Sequence, residues 1–182
     1  MAEFVPPTIR VHASFLKAMA EFQAEGRGSD DDHSMVGNEI RTNSATWHLP
    51  AAFAGYTNGL RAQALEATPR PAGYVPCTTL CWVDGDEYLG RLAIRHRLTE
   101  WLLNVGGHVG YDVRPTVRRR GHATAMLRAA LPVARELGID DVLITCDVDN
   151  IASRKVIEAN GGRFEDEREG KLRFWVLTTP AA

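Results

Sequence analysis

The feature that most constrains this chain is the stretch of residues 106–160. Residues 107–113 alternate like a strand, residues 121–137 carry apolar side chains at helical spacing (Ala123, Leu127, Leu131, Ala134), and residues 141–146 form a second apolar strand. A strand, loop, helix, strand unit joins parallel strands through a right-handed crossover. The loop then lies at the carboxyl end of the first strand, where open α/β sheets bind ligands.

The composition of that loop selects a class of ligand. Arg118, Arg119 and Arg120, followed by Gly121 and the small Ala123, bring positive charge and uncovered backbone N–H groups to a helix start. The first amides of a helix lack partners and carry the positive end of its dipole, which suits a pyrophosphate. Gly121 permits close approach of oxygen atoms or a positive φ, and Ala123 has too little side chain to obstruct it. An isolated Arg-Arg-Gly is equally a solvated helix start with a turn glycine; the flanking strand and helix favour the anion. Neither G-x-G-x-x-G nor G-x-x-x-x-G-K-[S/T] occurs in this stretch.

Arg118-x-x-Gly121-x-Ala123, placed after a strand ending in Val113, resembles the acetyl-coenzyme A loop of the GNAT N-acetyltransferase superfamily, whose usual form is Q/R-x-x-G-x-G/A. Downstream, Cys146-Asp-Val-Asp-Asn150-Ile-Ala-Ser153 and Gly161-Gly162-Arg-Phe164 are similar to the second signature of that family, an Asn and a small residue opening a helix that ends in Gly before an aromatic. The resemblance covers residues 77–177, and the order of motifs is also similar to a group of bacterial predicted acetyltransferases of unknown acceptor. It implies an α/β (α+β) fold: a mixed, mostly antiparallel sheet of about seven strands, flanked by about four helices, with a central βαβ crossover.

The resemblance also implies a site. Acetyl-coenzyme A would lie in the splay between the two crossover strands, with Tyr111, Asp112 and Val113 giving backbone hydrogen bonds to the pantetheine. The loop headed by Arg118, with Arg119, Arg120, Gly121, His122, Ala123 and Thr124, would hold the pyrophosphate, and Asn150 and Ser153 would touch the arm from the other side. Capping of the following helix is the structural role open to Asn150. A neutral primary amine of a small molecule or peptide would attack the thioester directly, with no metal.

Such an amine, with a pKa near ~10.4 when free, must lose its proton. The positions where relatives carry the base are Val109, Gly107 and Thr145 here, and none of these can act. His108 is turned to the opposite face by strand alternation. The remaining candidates are His96 and Glu100, near the end of the preceding strand, with Tyr111 behind them; each is equally an ordinary surface or packing residue. Where relatives carry a Tyr that protonates the thiolate, this chain has Ile157, leaving Tyr111 or Cys146 as substitutes, or unassisted departure. Intact cofactor motifs beside vacant catalytic positions keep a second reading open, a non-catalytic acyl-coenzyme A binding or sensing domain.

A chain of 182 residues suits a single domain spanning 1–182, and a formal charge of -2 offers no global attraction to nucleic acid or membrane. With no apolar run of about 18 residues and no basic, apolar leader, the expected location is the cytoplasm. Cys77, Cys81 and Cys146 have the arithmetic of neither a disulfide framework nor a zinc site. Homodimers are common in the family, and nothing in the sequence identifies an interface.

Elsewhere the pattern predicts a strand over 8–11, a helix over 13–24, a long polar loop over 26–46 and a helix over 49–66. Within the loop, Asp30, Asp31 and Asp32 read either as a solvated charge run or as a lid that draws in a cationic acceptor. Strands at 77–83 and 88–95 form a hairpin about Asp84-Gly85-Asp86, and 99–103 form a helical turn. Pro132 interrupts the central helix, and a helix over 151–159 is stopped by Asn160-Gly161-Gly162. Two final strands, 163–169 and 172–177, bury Phe164, Phe174 and Trp175.

Overall fold

The alternation of residues 77–95 becomes an antiparallel hairpin, β2 (Cys77–Asp84) and β3 (Glu87–Arg95), turning at Gly85 with φ 59°. β3 is buried from Tyr88 to Ile94. Both its faces are covered, so helices must lie on each side of the sheet. The computed structural model describes residues 1–179. Along them run β1 (Glu3–Val5), α1 (His12–Ala24), α2 (Met35–Trp47), α3 (Pro50–Ala62), β2 and β3, then β4 (Val109–Val113), α4 (His122–Glu136), β5 (Asp141–Asp147), α5 (Ile151–Glu158), β6 (Arg163–Arg168) and β7 (Lys171–Leu177). One core joins Leu92, Ile94 and Val109 to Met126, Leu127 and Ala130 of α4 and to β5 and β7. The other joins Cys81, Val83 and Tyr88 to Phe15, Phe22, Ile40, Trp47 and Phe53 of α1, α2 and α3. Among the described residues no helix is long and apolar enough to cross a membrane.

The expected seven strands are present, in two antiparallel sheets ordered β1-β2-β3-β4 and β5-β7-β6. The crossover strands β4 and β5 therefore do not share a ladder. The reason lies at their start. Gly107 has φ 63° and ψ -179°, a region essentially reserved for glycine. His108 then donates its N–H to Leu143 O (2.7 Å) on β5, and its C=O accepts from the Arg95 amide (2.8 Å) on β3. The Leu143 amide is taken by the His108 imidazole, Nδ1 accepting at 2.9 Å. The next parallel rung would run from the Thr145 amide to the His108 carbonyl, but that carbonyl accepts from Arg95 on β3, and the strands part beyond it.

Four local expectations are corrected. The strand expected at 8–11 is displaced to Glu3–Val5, because Pro6 and Pro7 end it and Thr8 caps a 3-10 turn at Ile9–Val11. The polar loop is shorter than expected, since α2 begins at Met35, capped by Ser34 Oγ on the Gly37 amide (3.1 Å). With α2 included, the described residues hold five α-helices rather than about four. Phe164 is exposed on the edge strand β6, while Phe174 is buried.

The acidic run also divides. Asp32 is inward: Oδ2 accepts from the Gly28 amide (2.9 Å), Oδ1 from the Ser34 amide (3.0 Å), and Arg27 lies at 3.3 Å. Desolvation would raise its pKa, but donation from Ser34 and Gly28 with the Arg27 charge outweighs it and lowers the pKa to about 2. A depressed carboxylate contributes stability above its unfolded pKa and loses it as pH falls through the folded value. Asp32→Asn is therefore expected to lower stability at neutral pH by about 1–2 kcal/mol. The difference from the parent should close between pH 4 and pH 2; an equal deficit at pH 7 and pH 2, by urea denaturation, would remove the carboxylate from this role.

Candidate functional site

The parting of β4 from β5 leaves an opening bounded at its base by His108 and Leu143. By antiparallel alternation, fixed at one end by His108 O and at the other by the Arg114 amide on Leu89 O (2.9 Å), Val109, Tyr111 and Val113 turn their amides and carbonyls toward this opening. Asp112 turns its own toward β3. Its carboxylate lies on the α2 face, 3.9 Å from Arg91 Nε and without a hydrogen bond to it. Arg91, 3% exposed, is anchored instead to Glu39 and to Tyr56 OH. Burial raises the Asp112 pKa against the pull of Arg91.

At the far end of the opening the chain passes through a 3-10 turn (Pro115–Val117) into α4. Arg119 has φ 61° and Gly121 has φ 83°, so two left-handed residues curl the backbone at the helix start. Among the described residues, none of the backbone N–H groups from Arg119 to Thr124 has a protein acceptor. A Cβ placed on Gly121 would meet nothing within 4 Å. The result is a concave, open array of amides at the positive end of a helix, an arrangement that binds anions.

The arginines around it divide by function. Arg114 is paired with Glu21 (2.7 Å) and Glu87 (3.2 Å), and Arg118 with Glu25 (2.9 Å) while its Nε bonds Val113 O (3.1 Å). These two brace the loop. Arg119 and Arg120 are exposed, and among the described residues Arg120 touches only Thr116 O (3.2 Å) as an acceptor. His122 Nδ1 accepts from the buried indole of Trp82 (3.2 Å), which puts the ring proton on Nε2, so Nε2–H and the backbone amide are the groups it can offer an anion.

Across the opening, the Tyr111 hydroxyl lies 2.6 Å from Ser153 Oγ on α5. Burial raises the Tyr111 pKa to about 12, with Ser153 pulling it the other way. Asn150 caps α5, Oδ1 accepting the Ser153 amide at 3.0 Å. Ile157, one turn beyond Ser153, is core, and Gly161 and Gly162 end the helix on its last carbonyls.

The structure does not bring the remaining candidates to Tyr111. His96 lies beyond the end of β3, Nε2 2.8 Å from Thr78 Oγ1, and burial lowers its pKa. Tyr111 pairs with Leu92, four residues back along β3, or about 13 Å. Glu100 is exposed. Thr145 Oγ donates to Val105 O (2.6 Å), fixing the π-helical turn Leu102–Gly106. His108 is buried, with its pKa lowered to about 4 by desolvation and then by Arg95, as suits an imidazole that accepts a backbone amide. Cys146 is buried at the end of β5, and burial raises its pKa. Among the described residues no three His, Cys, Asp or Glu side chains gather as a metal site requires. The bracing residues Glu21 and Glu25, and the Trp82 partner of His122, carry no signal in the sequence, because each acts across many tens of residues.

An α/β domain with a crossover whose strands part before an amide-rich helix start offers a narrow opening that ends in an anion seat. The chain matches the acetyltransferase (GNAT) domain family over residues 29–163 and belongs to it. A search of curated protein sequences finds no match. Among solved structures it is similar to Mycobacterium smegmatis RimJ in complex with CoA-disulfide, with TM-score 0.68 and 18% identity over 100% of this chain and 85% of that one. PaiA N-acetyltransferase from Thermoplasma acidophilum, in complex with coenzyme A, aligns with TM-score 0.60 and 12% identity over 97% and 99%. A Salmonella typhimurium acetyl transferase that modifies the N-terminal serine of a 50S ribosomal subunit protein aligns with TM-score 0.57 and 17% identity over 97% and 94%.

Proposed function

We propose that the chain is a single-domain N-acetyltransferase that moves an acetyl group from acetyl-coenzyme A to a primary amine of a small molecule or peptide. The observation that carries this reading is the run of unpartnered amides from Arg119 to Thr124 at the end of an opening lined by backbone groups of β4. The amides, with Arg119 and Arg120, would hold the pyrophosphate; Tyr111 and Val113 would meet the pantetheine through their backbones, and Ser153 would flank it from α5. The peptide arm of the proposal draws on the Salmonella typhimurium neighbour, whose substrate is a protein N-terminus.

In the reaction the amine lone pair forms the C–N bond, the C–S bond breaks, and a backbone N–H on β4 facing the opening stabilises the oxyanion. The amine proton would leave to solvent water; His96, held on Thr78 about 13 Å along β3 from the strand partner of Tyr111, could take it up only over several waters, and burial, which lowers its pKa, keeps the imidazole neutral while weakening it as a base. Tyr111, protonated throughout the working range, supplies the proton to the thiolate from the strand side. This arrangement replaces the phenol that relatives carry at the position of Ile157. A thiol pKa near ~8.5 makes the thiolate a tolerable leaving group unaided. Tyr111→Phe is accordingly expected to lower kcat only about fivefold to tenfold, with no alkaline fall in kcat below pH 10 in the parent. An unchanged kcat, where chemistry limits turnover, would remove Tyr111 from the reaction.

The absence of a carboxylate at Val109, Gly107 and Thr145 favours one other reading, a domain that binds acyl-coenzyme A without turnover. Release of free coenzyme A thiol across a panel of polyamines, amino acids, aminoglycosides and peptides separates the two. Acceptor-dependent release supports the transferase; tight acetyl-coenzyme A binding with no release above background supports the binding domain.

A further inference from the structure

The amide array is open to solvent on one side, and the segment before it is held from the other by a helix far away in sequence. Glu21 of α1 accepts three hydrogen bonds from that segment, Oε1 from Arg114 Nε (2.8 Å) and Oε2 from the Thr116 amide (3.2 Å) and hydroxyl (2.8 Å), and Arg114 Nη2 adds an ion-pair contact to Oε1 at 2.7 Å. At the C-cap of α1, Glu25 takes both terminal nitrogens of Arg118 at 2.9 Å, and the Arg118 guanidinium lies 5.7 Å above the Phe22 ring. Residues 114–118 are thus seated on one face of α1, and the free amides begin at the next residue.

We propose that Glu21 is a positioning residue for the anion loop: without touching the cofactor, it fixes the backbone that aims the amides of residues 119–124. This rests on the reading of that loop as the pyrophosphate seat. Two effects oppose each other when Glu21 loses its charge. Loss of the Thr116 amide contact frees the backbone to drift, which weakens binding, because an amide displaced by an ångström forfeits most of its hydrogen bond. Release of Arg114 adds positive charge near the phosphates, which strengthens binding at low salt and is screened at high salt. Arg114 keeps Glu87, Ser14 Oγ and Tyr88 O as partners. It therefore stays largely in place, and the positional effect should win.

The test is the dissociation constant of coenzyme A and of pantetheine, which lacks the pyrophosphate, measured by calorimetry on Glu21→Gln and, independently, Thr116→Val at 0.05 M and 0.5 M salt. Both variants should bind coenzyme A about fivefold to tenfold more weakly, the loss growing with salt for Glu21→Gln, while pantetheine binding stays within twofold of the parent. Equal losses for both ligands would mean general loosening of the fold and overturn the proposal. So would tighter coenzyme A binding in Glu21→Gln, which would make the carboxylate merely a repelling charge. Gly121→Glu serves as the control on the underlying reading. If it weakens coenzyme A binding and the two variants do not, positioning by Glu21 is wrong; if it also has no effect, the loop is not the pyrophosphate seat and both readings fall.

Discussion

Gly121→Glu is expected to weaken acetyl-coenzyme A binding at least thirtyfold, about 2 kcal/mol. Gly121 caps α4 with φ 83° and ψ 0°, and an L-residue there costs about 1–2 kcal/mol of backbone strain. That cost falls on the fold or is relieved by moving the loop. The carboxylate adds a like charge where phosphate oxygens are proposed to sit, on the order of 3 kcal/mol at 5 Å and an effective dielectric of 20. Gly121→Ala separates the two terms, because a methyl group there meets nothing within 4 Å. Alanine should reduce thermal stability and leave the dissociation constant within about threefold. Titration calorimetry on both variants decides; a normally folded Gly121→Glu protein with the parent's affinity would refute the assignment of this loop.

Gly107→Ala should be the most destabilising small substitution in the site, lowering stability by about 3 kcal/mol. The backbone angles of Gly107 already exclude a side chain at a cost of about 1–3 kcal/mol. A Cβ there would stand 2.7 Å from Leu143 O, the acceptor of the His108 amide. The clash falls on backbone atoms, so it cannot be relieved by turning a flexible side chain. Relief means moving β4 away from β5, with loss of the His108 contacts that close the base of the opening. Urea denaturation should show a lower midpoint with an unchanged slope, and Tm should fall by about 6–12 °C for a chain of this size. A loss below about 1 kcal/mol would show that the junction is softer than its geometry implies.

The crossover and its loop were legible because each rests on local information. The strand period, the helix period, and the small and basic residues between them all lie within residues 106–160, and so do Asn150 as a cap and the glycines that stop α5. α2 was not legible. Gly37 lowers helix propensity, and the outward face is so polar that Val36, Ile40 and Trp47 alone mark the buried stripe. Gly37 is there because the Asp32 carboxylate occupies the space of its side chain, a contact that no period reveals. The division of the sheet was equally hidden, since it depends on which neighbour the His108 carbonyl serves, Arg95 on β3 rather than β5. The catalytic candidates His96, Glu100 and Tyr111 shared a neighbourhood in the sequence. Strand register separates the first from the last, and Glu100 is exposed.

The two sheets leave β4 and β5 each at a border, facing one another. Unpaired strand edges invite pairing with other chains, and proteins usually blunt them with charge, proline or brevity. Here the protection is geometric. β4 offers only five residues, its base is stapled by His108, and the opening beyond is bridged by the Tyr111 and Ser153 hydroxyls. An intruding strand finds no continuous row of donors and acceptors to run along. The same feature leaves individual backbone groups turned to the opening, so a slender, flexible guest such as the proposed cofactor arm, needing only a few of them, would be admitted where a strand would not.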